Sequence, residues 1–164
     1  MLSSTQIDRY SRNILLPKVG GEGQLKLLKA RVLIVGVGAL GSSAAFYLAS
    51  AGIGHLGLLD SDHVELSNLQ RQIVHSESSI GNLKTDSASD SLSNLNSDIS
   101  IDTYPIRLTE SNVLDLISGY DFVIDGSDNF STKFLINDAC VFLDKPFSHA
   151  GVLQFSAQLM TYMP

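Results

Sequence analysis

Two patterns of apolar positions alternate along this chain. Short continuous apolar runs are separated by longer stretches in which apolar residues recur at helical spacing. Arg31-Val-Leu-Ile-Val35 has no alternation of polar and apolar residues, which predicts a parallel strand covered on both faces. His55–Asp60, Ile99–Tyr104 and Tyr120–Asp125 read as further strands, and Pro146–Ala150 and Leu153–Met160 as two final ones. Helices are predicted between them at Ala39–Ala51, Asn82–Leu95, Glu110–Ile117 and Phe130–Leu143. In the second of these Ala88, Leu92 and Leu95 are the expected inward positions. In the last they are Phe134, Leu135, Ala139 and Phe142, with Phe130 also read as a core aromatic.

The first thirty residues read as a helical segment with Ile7, Tyr10, Ile14 and Leu15 on one face. Pro17 with Gly20 and Gly21 is expected to end the run, and a second short helix follows over Glu22–Lys29. A polar loop covers Ser61–Ser79. Strand and helix alternating at this spacing predict an α/β fold, a Rossmann-like doubly wound and mainly parallel sheet with an N-terminal helical segment. The expected organisation is a helical arm over residues 1–30 and a nucleotide-binding domain over residues 31–164.

Composition narrows the function. With 11 basic and 17 acidic side chains the formal charge is −6, which argues against a broad nucleic-acid-binding face. No apolar run reaches the length of a membrane span, and the polar start of the chain does not read as a leader. The single cysteine, Cys140, sits in an apolar helix and reads as core packing rather than as a nucleophile. These features together read as a cytoplasmic protein. The four histidines, His55, His63, His75 and His149, are scattered without metal-ligand spacing.

Gly36-Val-Gly-Ala-Leu-Gly41 stands directly between a predicted strand and a predicted helix, the context a dinucleotide or nucleotide loop requires. Gly36 allows the tight turn, Gly38 lets the backbone approach a phosphate, and Gly41 permits close contact of helix and strand. The helix N-terminus then offers unpaired N–H groups to an anion. Asp60 closes the second strand, where a carboxylate commonly meets ribose hydroxyls, and Asp62 can share that role. This much fits nicotinamide, flavin and ATP equally.

The charged residues beyond the loop separate those possibilities. Asn68, Arg71 and Lys84 cluster after Asp60, more cation than a hydride-transfer site needs but suited to a triphosphate. Asn68 can donate to a phosphoryl oxygen, Arg71 offers a planar fork, and Lys84 a mobile point charge. Asp128, beyond the strand that ends at Asp125, is placed either to hold Mg²⁺ or to cap the following helix. Asp125 can cap the turn. Arg12, in Arg9-Tyr-Ser-Arg12, reads either as a surface charge or as an arginine that crosses to another subunit.

Taken together, Arg9-Tyr-Ser-Arg-Asn-Ile-Leu-Leu16, the glycine motif, Ala51-Gly-Ile-Gly54, Leu58-Leu-Asp-Ser-Asp62, Leu66-Ser-Asn-Leu-Gln-Arg-Gln72, Gly81 with Lys84, and Asp125-Gly-Ser-Asp-Asn129 resemble the ThiF/MoeB family. That resemblance implies ATP-dependent adenylation of the C-terminal glycine carboxylate of a small ubiquitin-like carrier ending in Gly-Gly. Such carriers serve thiamine and molybdopterin synthesis, among other pathways. It implies that Asp60 binds ribose, that Asn68, Arg71 and Lys84 contact phosphates, and that Asp128 holds Mg²⁺. It also implies a homodimer in which Arg12 reaches the partner's site. Family members often read C-T-D-N where this chain has Gly126-Ser-Asp-Asn129, which keeps a hydroxyl and the asparagine. They also continue beyond the position of Pro164, many with a pair of CxxC sequences for zinc. A C-terminally incomplete chain is therefore expected, with structural zinc only in a longer product. Two other readings are a non-catalytic relative serving as a binding or regulatory module and a NAD-dependent oxidoreductase, which leaves Arg71, Lys84 and Asp128 without a task.

Overall fold

The computed structural model describes all 164 residues. Three short helices open the chain: α1 (Ser4–Arg9), α2 (Ser11–Ile14) and α3 (Gly20–Leu27). Then β1 (Arg31–Val35), α4 (Ala39–Ala51), β2 (His55–Leu59), α5 (Lys84–Leu95), β3 (Ser100–Tyr104), α6 (Val113–Ser118), β4 (Phe122–Asp125), α7 (Phe130–Phe142), β5 (Phe147–Leu153) and β6 (Ser156–Tyr162) follow. Two 3₁₀ turns, Leu66–Asn68 and Glu77–Ser79, give the long loop after β2 its shape.

The six strands form one sheet in the order β3-β2-β1-β4-β5-β6. All pairings are parallel except β5 with β6, an antiparallel hairpin in register Phe147↔Tyr162 to Leu153↔Ser156. Strand β1 is central and apolar on both faces because helices cover both. One core joins Val32, Ile34, Leu56 and Leu58 to Ala45 and Ala49 of α4 and to Ala88 and Leu92 of α5. The other joins Leu33, Val35 and Val123 to Ile117 of α6 and to Ile136, Ala139 and Cys140 of α7. The α/β doubly wound expectation holds, and Cys140 is buried as core, its thiol pushed up to about 12 mainly by desolvation.

Several expected inward positions are not buried. Phe134 and Phe142 are 66% and 78% exposed, and Phe130 is exposed too. The face of α7 that meets the sheet is Ile136, Ala139 and Cys140, spaced i, i+3, i+4, and Phe134 projects from the opposite side of the helix. Phe130 and Phe134 stack on each other instead, with ring centroids 6.5 Å apart. Leu95, the last residue of α5, is also exposed, because the adjacent Asn96 fills the interior there.

The N-terminal run is not one amphipathic helix. Tyr10, which lies between α1 and α2, is buried, whereas Ile7 and Leu15 are exposed and Ile14 is half-buried. The run already stops at Ile14, three residues before Pro17, while Gly20 and Gly21 lie in the first turn of α3 rather than ending a helix. Tyr10 packs over Gly52, whose φ of +81° ends α4 in a left-handed turn; a Cβ there would sit 2.6 Å from the tyrosine ring. The last carbonyls of α4 are met by the arm and its surroundings in addition to the Gly52 N–H, which donates to the Ala49 carbonyl at 3.1 Å. Gln24 Nε2 donates to the Ala51 carbonyl at 2.8 Å, and Asn96 Nδ2 donates to the Ala49 carbonyl and to Tyr10 Oη, both at 2.8 Å.

Gly41 has no room for a side chain beside the sheet. A Cβ there would lie 1.9 Å from the Gly36 carbonyl oxygen. Because the obstacle is backbone, Gly41→Ala is expected to destabilise the fold by about 2 kcal/mol or more, read as a lowered urea midpoint at unchanged slope. An unchanged midpoint would show that the loop and helix do not approach this closely.

Candidate functional site

In a sheet of this order the crossover lies between β1 and β4, and ligands of open α/β sheets bind beyond the carboxyl ends of the strands at that point. Two loops leave it side by side. From β1 the chain passes through Gly36, Val37 and Gly38 into α4; from β4 it passes through Gly126, Ser127 and Asp128 to α7. Gly36 takes φ +88°, and a Cβ there would meet the Gly126 carbonyl group at 2.9 Å, so the two loops touch through backbone. Gly38 differs. Only the Gln72 amide lies within 4 Å of its Cβ position, at 3.7 Å, which leaves open space over the loop. Gly38 also begins α4 with no side chain capping it, so the first N–H groups of that helix are available to an anion.

Asp60 stands at the mouth of this space. Its Oδ2 accepts from the Val37 N–H at 2.8 Å and its Oδ1 from the Asp62 N–H at 2.9 Å. Both oxygens keep a lone pair for a further donor. Beyond it the chain turns back on itself. Lys84 N–H donates to the Asp62 carbonyl at 2.9 Å, and His63 pairs with Leu83, which lays the loop along the start of α5. The result is a polar cleft of about 370 Å³ lined by Ser61, Asp62, His63, Glu65, Asn68 and Lys84.

Lys84 is the unusual residue in that cleft. It is only 6% exposed, and its Nζ has one charged partner, Asp62 Oδ2 at 2.9 Å, which is itself largely in solvent. Asn68 is 8% exposed; its Oδ1 accepts from the Glu65 N–H at 3.1 Å, and its amide nitrogen has only a long 3.5 Å contact to Ser67 Oγ. Arg71 is exposed, and its Nη1 donates to the Ser67 carbonyl of its own turn at 3.0 Å rather than reaching into the cleft.

On the other side of the crossover Asp128 is exposed. The cap of α7 is Asn129, whose Oδ1 accepts from the Thr132 N–H at 2.9 Å, so the capping alternative for Asp128 falls away. Asp125 does cap its turn, accepting from Ser127 N–H at 3.0 Å and Ser127 Oγ–H at 2.6 Å. Buried at 1% exposure, it is also met by His149 Nδ1 at 2.8 Å and Lys133 Nζ at 3.3 Å. Sequence reasoning missed this cluster, since nothing in the spacing of Lys133 or His149 pointed to Asp125.

Arg12 is not brought to this site within the chain. Its helix contacts the far end of α4, where Asn13 Nδ2 lies 3.4 Å from the Ala51 carbonyl. The glycine loop begins the same 13-residue helix, about 20 Å away. Arg12 is exposed and in none of the ion pairs of the chain.

A backbone cradle over Gly38, an uncapped helix start, a buried ammonium and a carboxylate at the strand end fit a ligand with phosphates and a ribose. The match to known proteins agrees in kind. Residues 10–164, most of the chain, match the ThiF family. The chain belongs to the ThiF family. It is 50% identical over 161 residues to the adenylyltransferase and sulfurtransferase MOCS3 of Culex quinquefasciatus, covering 98% of this chain and 37% of that protein. It is 45% identical over 163 residues to the SAMP-activating enzyme E1 of Haloferax volcanii, covering 99% of this chain and 60% of that one. Among solved structures, E. coli MccB with ATP superposes with a TM-score of 0.88 at 32% identity, over 96% of this chain and 49% of MccB. The chain thus spans from about a third to three fifths of the curated relatives it matches. No helix is long and apolar enough to cross a membrane.

His75 supplies a pH test of the site's packing. Desolvation holds its pKa below the ordinary 6.5, outweighing the hydrogen bond to Val37 that acts the other way. Its folded pKa is depressed, so the unfolded chain binds the extra proton first. Stability is full above the unfolded value and falls as the pH drops below about 6.5 toward the folded value. Urea midpoints between pH 7 and pH 5 are expected to fall in the native chain and to fall less in His75→Gln. Parallel slopes in the two proteins would contradict the assignment.

Proposed function

We propose that this chain binds ATP with Mg²⁺ at the crossover of the sheet and adenylates the C-terminal carboxylate of a ubiquitin-like carrier protein ending in Gly-Gly. The observation that carries this reading is Lys84, a buried ammonium facing a polar cleft beside an uncapped helix start. Burying a cation costs free energy unless an anion meets it, and one solvent-exposed carboxylate is a weak partner. A triphosphate is a better one. A nicotinamide dinucleotide would use the glycines and Asp60 but give Lys84, Asn68 and Asp128 nothing to bind. MOCS3 and the SAMP-activating enzyme, by their names, act in activation and sulfur transfer, which supports a carrier-protein substrate.

In this reading the Gly38 loop and the start of α4 receive phosphate oxygens, and Asp60 accepts from the ribose hydroxyls. Lys84 and Asn68 stabilise charge at the attacked α-phosphate, and Arg71 swings from its own turn to join them. Asp128 would hold Mg²⁺, which when bound neutralises the departing pyrophosphate. The carrier's carboxylate is ionised at neutral pH and is its own nucleophile. Its oxygen attacks the α-phosphorus, the bond to the β-phosphate bridge breaks, and pyrophosphate leaves with an acyl-adenylate remaining. Positioning and charge stabilisation are then the whole contribution of the protein. Arg12, too far from its own site, acts across a homodimer on the partner's site. In this reading the chain works in the cytoplasm, in the service of sulfur-carrier pathways such as molybdopterin or thiamine synthesis.

The test is ATP–pyrophosphate exchange with Mg²⁺ and a panel of carriers ending in Gly-Gly. Lys84→Ala and Asp128→Ala are each expected to lower carrier-dependent exchange by about 100-fold, the scale for removing one charge-stabilising group from a transition state. Both variants should remain folded. Mixing Arg12→Ala with Lys84→Ala should recover part of the activity through hybrid dimers. Undiminished exchange in both single-site variants would sink the site assignment, and no recovery despite shown subunit exchange would sink the action of Arg12 in trans.

A further inference from the structure

His75 is buried against the glycine loop, and no step of the proposed reaction uses it. Its Nε2 lies 3.2 Å from the Val37 carbonyl oxygen and its Nδ1 3.0 Å from Ser87 Oγ. A carbonyl only accepts, so Nε2 carries the proton and donates to Val37. In the neutral ring Nδ1 is then an acceptor, and the Ser87 hydroxyl donates to it. Burial favours that neutral form, and the charged groups acting on the ring are Lys84 and Asp60, with opposing effects.

Val37 is therefore held from both sides. Asp60 takes its N–H and His75 takes its carbonyl. The second contact has a geometric consequence. The peptide unit joining Val37 to Gly38 is planar and trans, so its C=O and N–H point in opposite directions. Fixing the Val37 carbonyl inward on His75 turns the Gly38 N–H the other way, away from the imidazole. Ser87 and Lys84 stand three residues apart on α5 and so project from one face of it. The histidine thereby ties the loop to the helix that supplies the buried ammonium.

We propose that His75 is a positioning residue that aims the Gly38 amide at the bound anion and keeps it in fixed relation to Lys84. The purpose of this brace rests on the nucleotide reading, while its geometry does not. Glutamine places its amide nitrogen near the position of Nε2, and asparagine near that of Nδ1. The two substitutions therefore separate the bond to Val37 from the bond to Ser87 while keeping a polar group in the site.

The experiment measures amide hydrogen exchange and calorimetric MgATP binding on the full chain, native, H75Q and H75N. H75N unties the loop from α5, so the loop should open more often; the Val37 N–H, held on Asp60 only while the loop is closed, should then exchange about tenfold faster and MgATP should bind about tenfold more weakly, the worth of one net hydrogen bond. H75Q should restore most of both. Amides of the β1 core, Leu33 and Ile34, should be unchanged in either variant. Equal Val37 exchange in H75N and H75Q would overturn the proposal, as would a loss of β1 protection in both variants alike, which would make His75 a packing residue. If the native chain fails to bind MgATP, the nucleotide reading falls, and the exchange of Val37 alone still decides whether the brace exists.

Discussion

The site depends on one backbone contact. Gly36, Gly41 and Gly126 meet so closely that no Cβ fits at any of the three: the nearest backbone atoms would lie 2.9 Å, 1.9 Å and 2.9 Å away. This contact lets the loops after β1 and β4 lie against each other at the crossover of the sheet. It also sets α4 down on β1 with its N-terminus at the same point. Glycines at Gly36, Gly41 and Gly126 are thus required by packing, whereas Gly38, with nothing but the Gln72 amide nearby, is left open by it. Packing uses Gly36 and Gly41 of the motif and leaves Gly38 free for the proposed phosphate contact.

The fold was legible because β1 is apolar on both faces, a pattern only a covered parallel strand produces. The hairpin of β5 and β6 was legible as two strands but shifted. The turn sits where Gln154 takes φ +55°, a conformation that no local residue preference announced. On α7 Phe130, Phe134 and Phe142 recur at helical spacing but do not lie on the face that meets the sheet. Helical phase, set by where β4 delivers the chain, instead turned Ile136, Ala139 and Cys140 to the sheet. Spacing alone does not say which apolar face meets the sheet, so an aromatic-rich helix misleads wherever apolar surface remains outside.

Gly36, Gly38, Gly41, Asp60, Asn68 and Lys84, the candidates read from sequence, lie around one region. All but Asn68, which ends a 3₁₀ turn of the long loop, lie next to a strand end or a helix start, where topology fixes position. The partners that make the region rigid were not found. Asp125 with Lys133 and His149, and Val37 with His75, are joined over gaps of eight to 38 residues, and no periodicity encodes such pairs. Arg12 illustrates the opposite case. Its place was legible as a motif, but Tyr10 on Gly52 and Asn13 beside Ala51 anchor its helix at the wrong end of α4 for an action within one chain. The arm's own packing therefore keeps Arg12 away from the crossover of its own chain.

The central claim is that MgATP occupies the carboxyl end of the sheet at the crossover. Backbone amide shift perturbation on titrating MgATP into the labelled chain tests it most directly. The account predicts saturable shifts at Gly38, Ala39, Asp60, Lys84 and Asp128, with none at Arg31 and His55 at the opposite ends of their strands. Shifts confined to that opposite end, or an unmoved Gly38 at saturation, would contradict it.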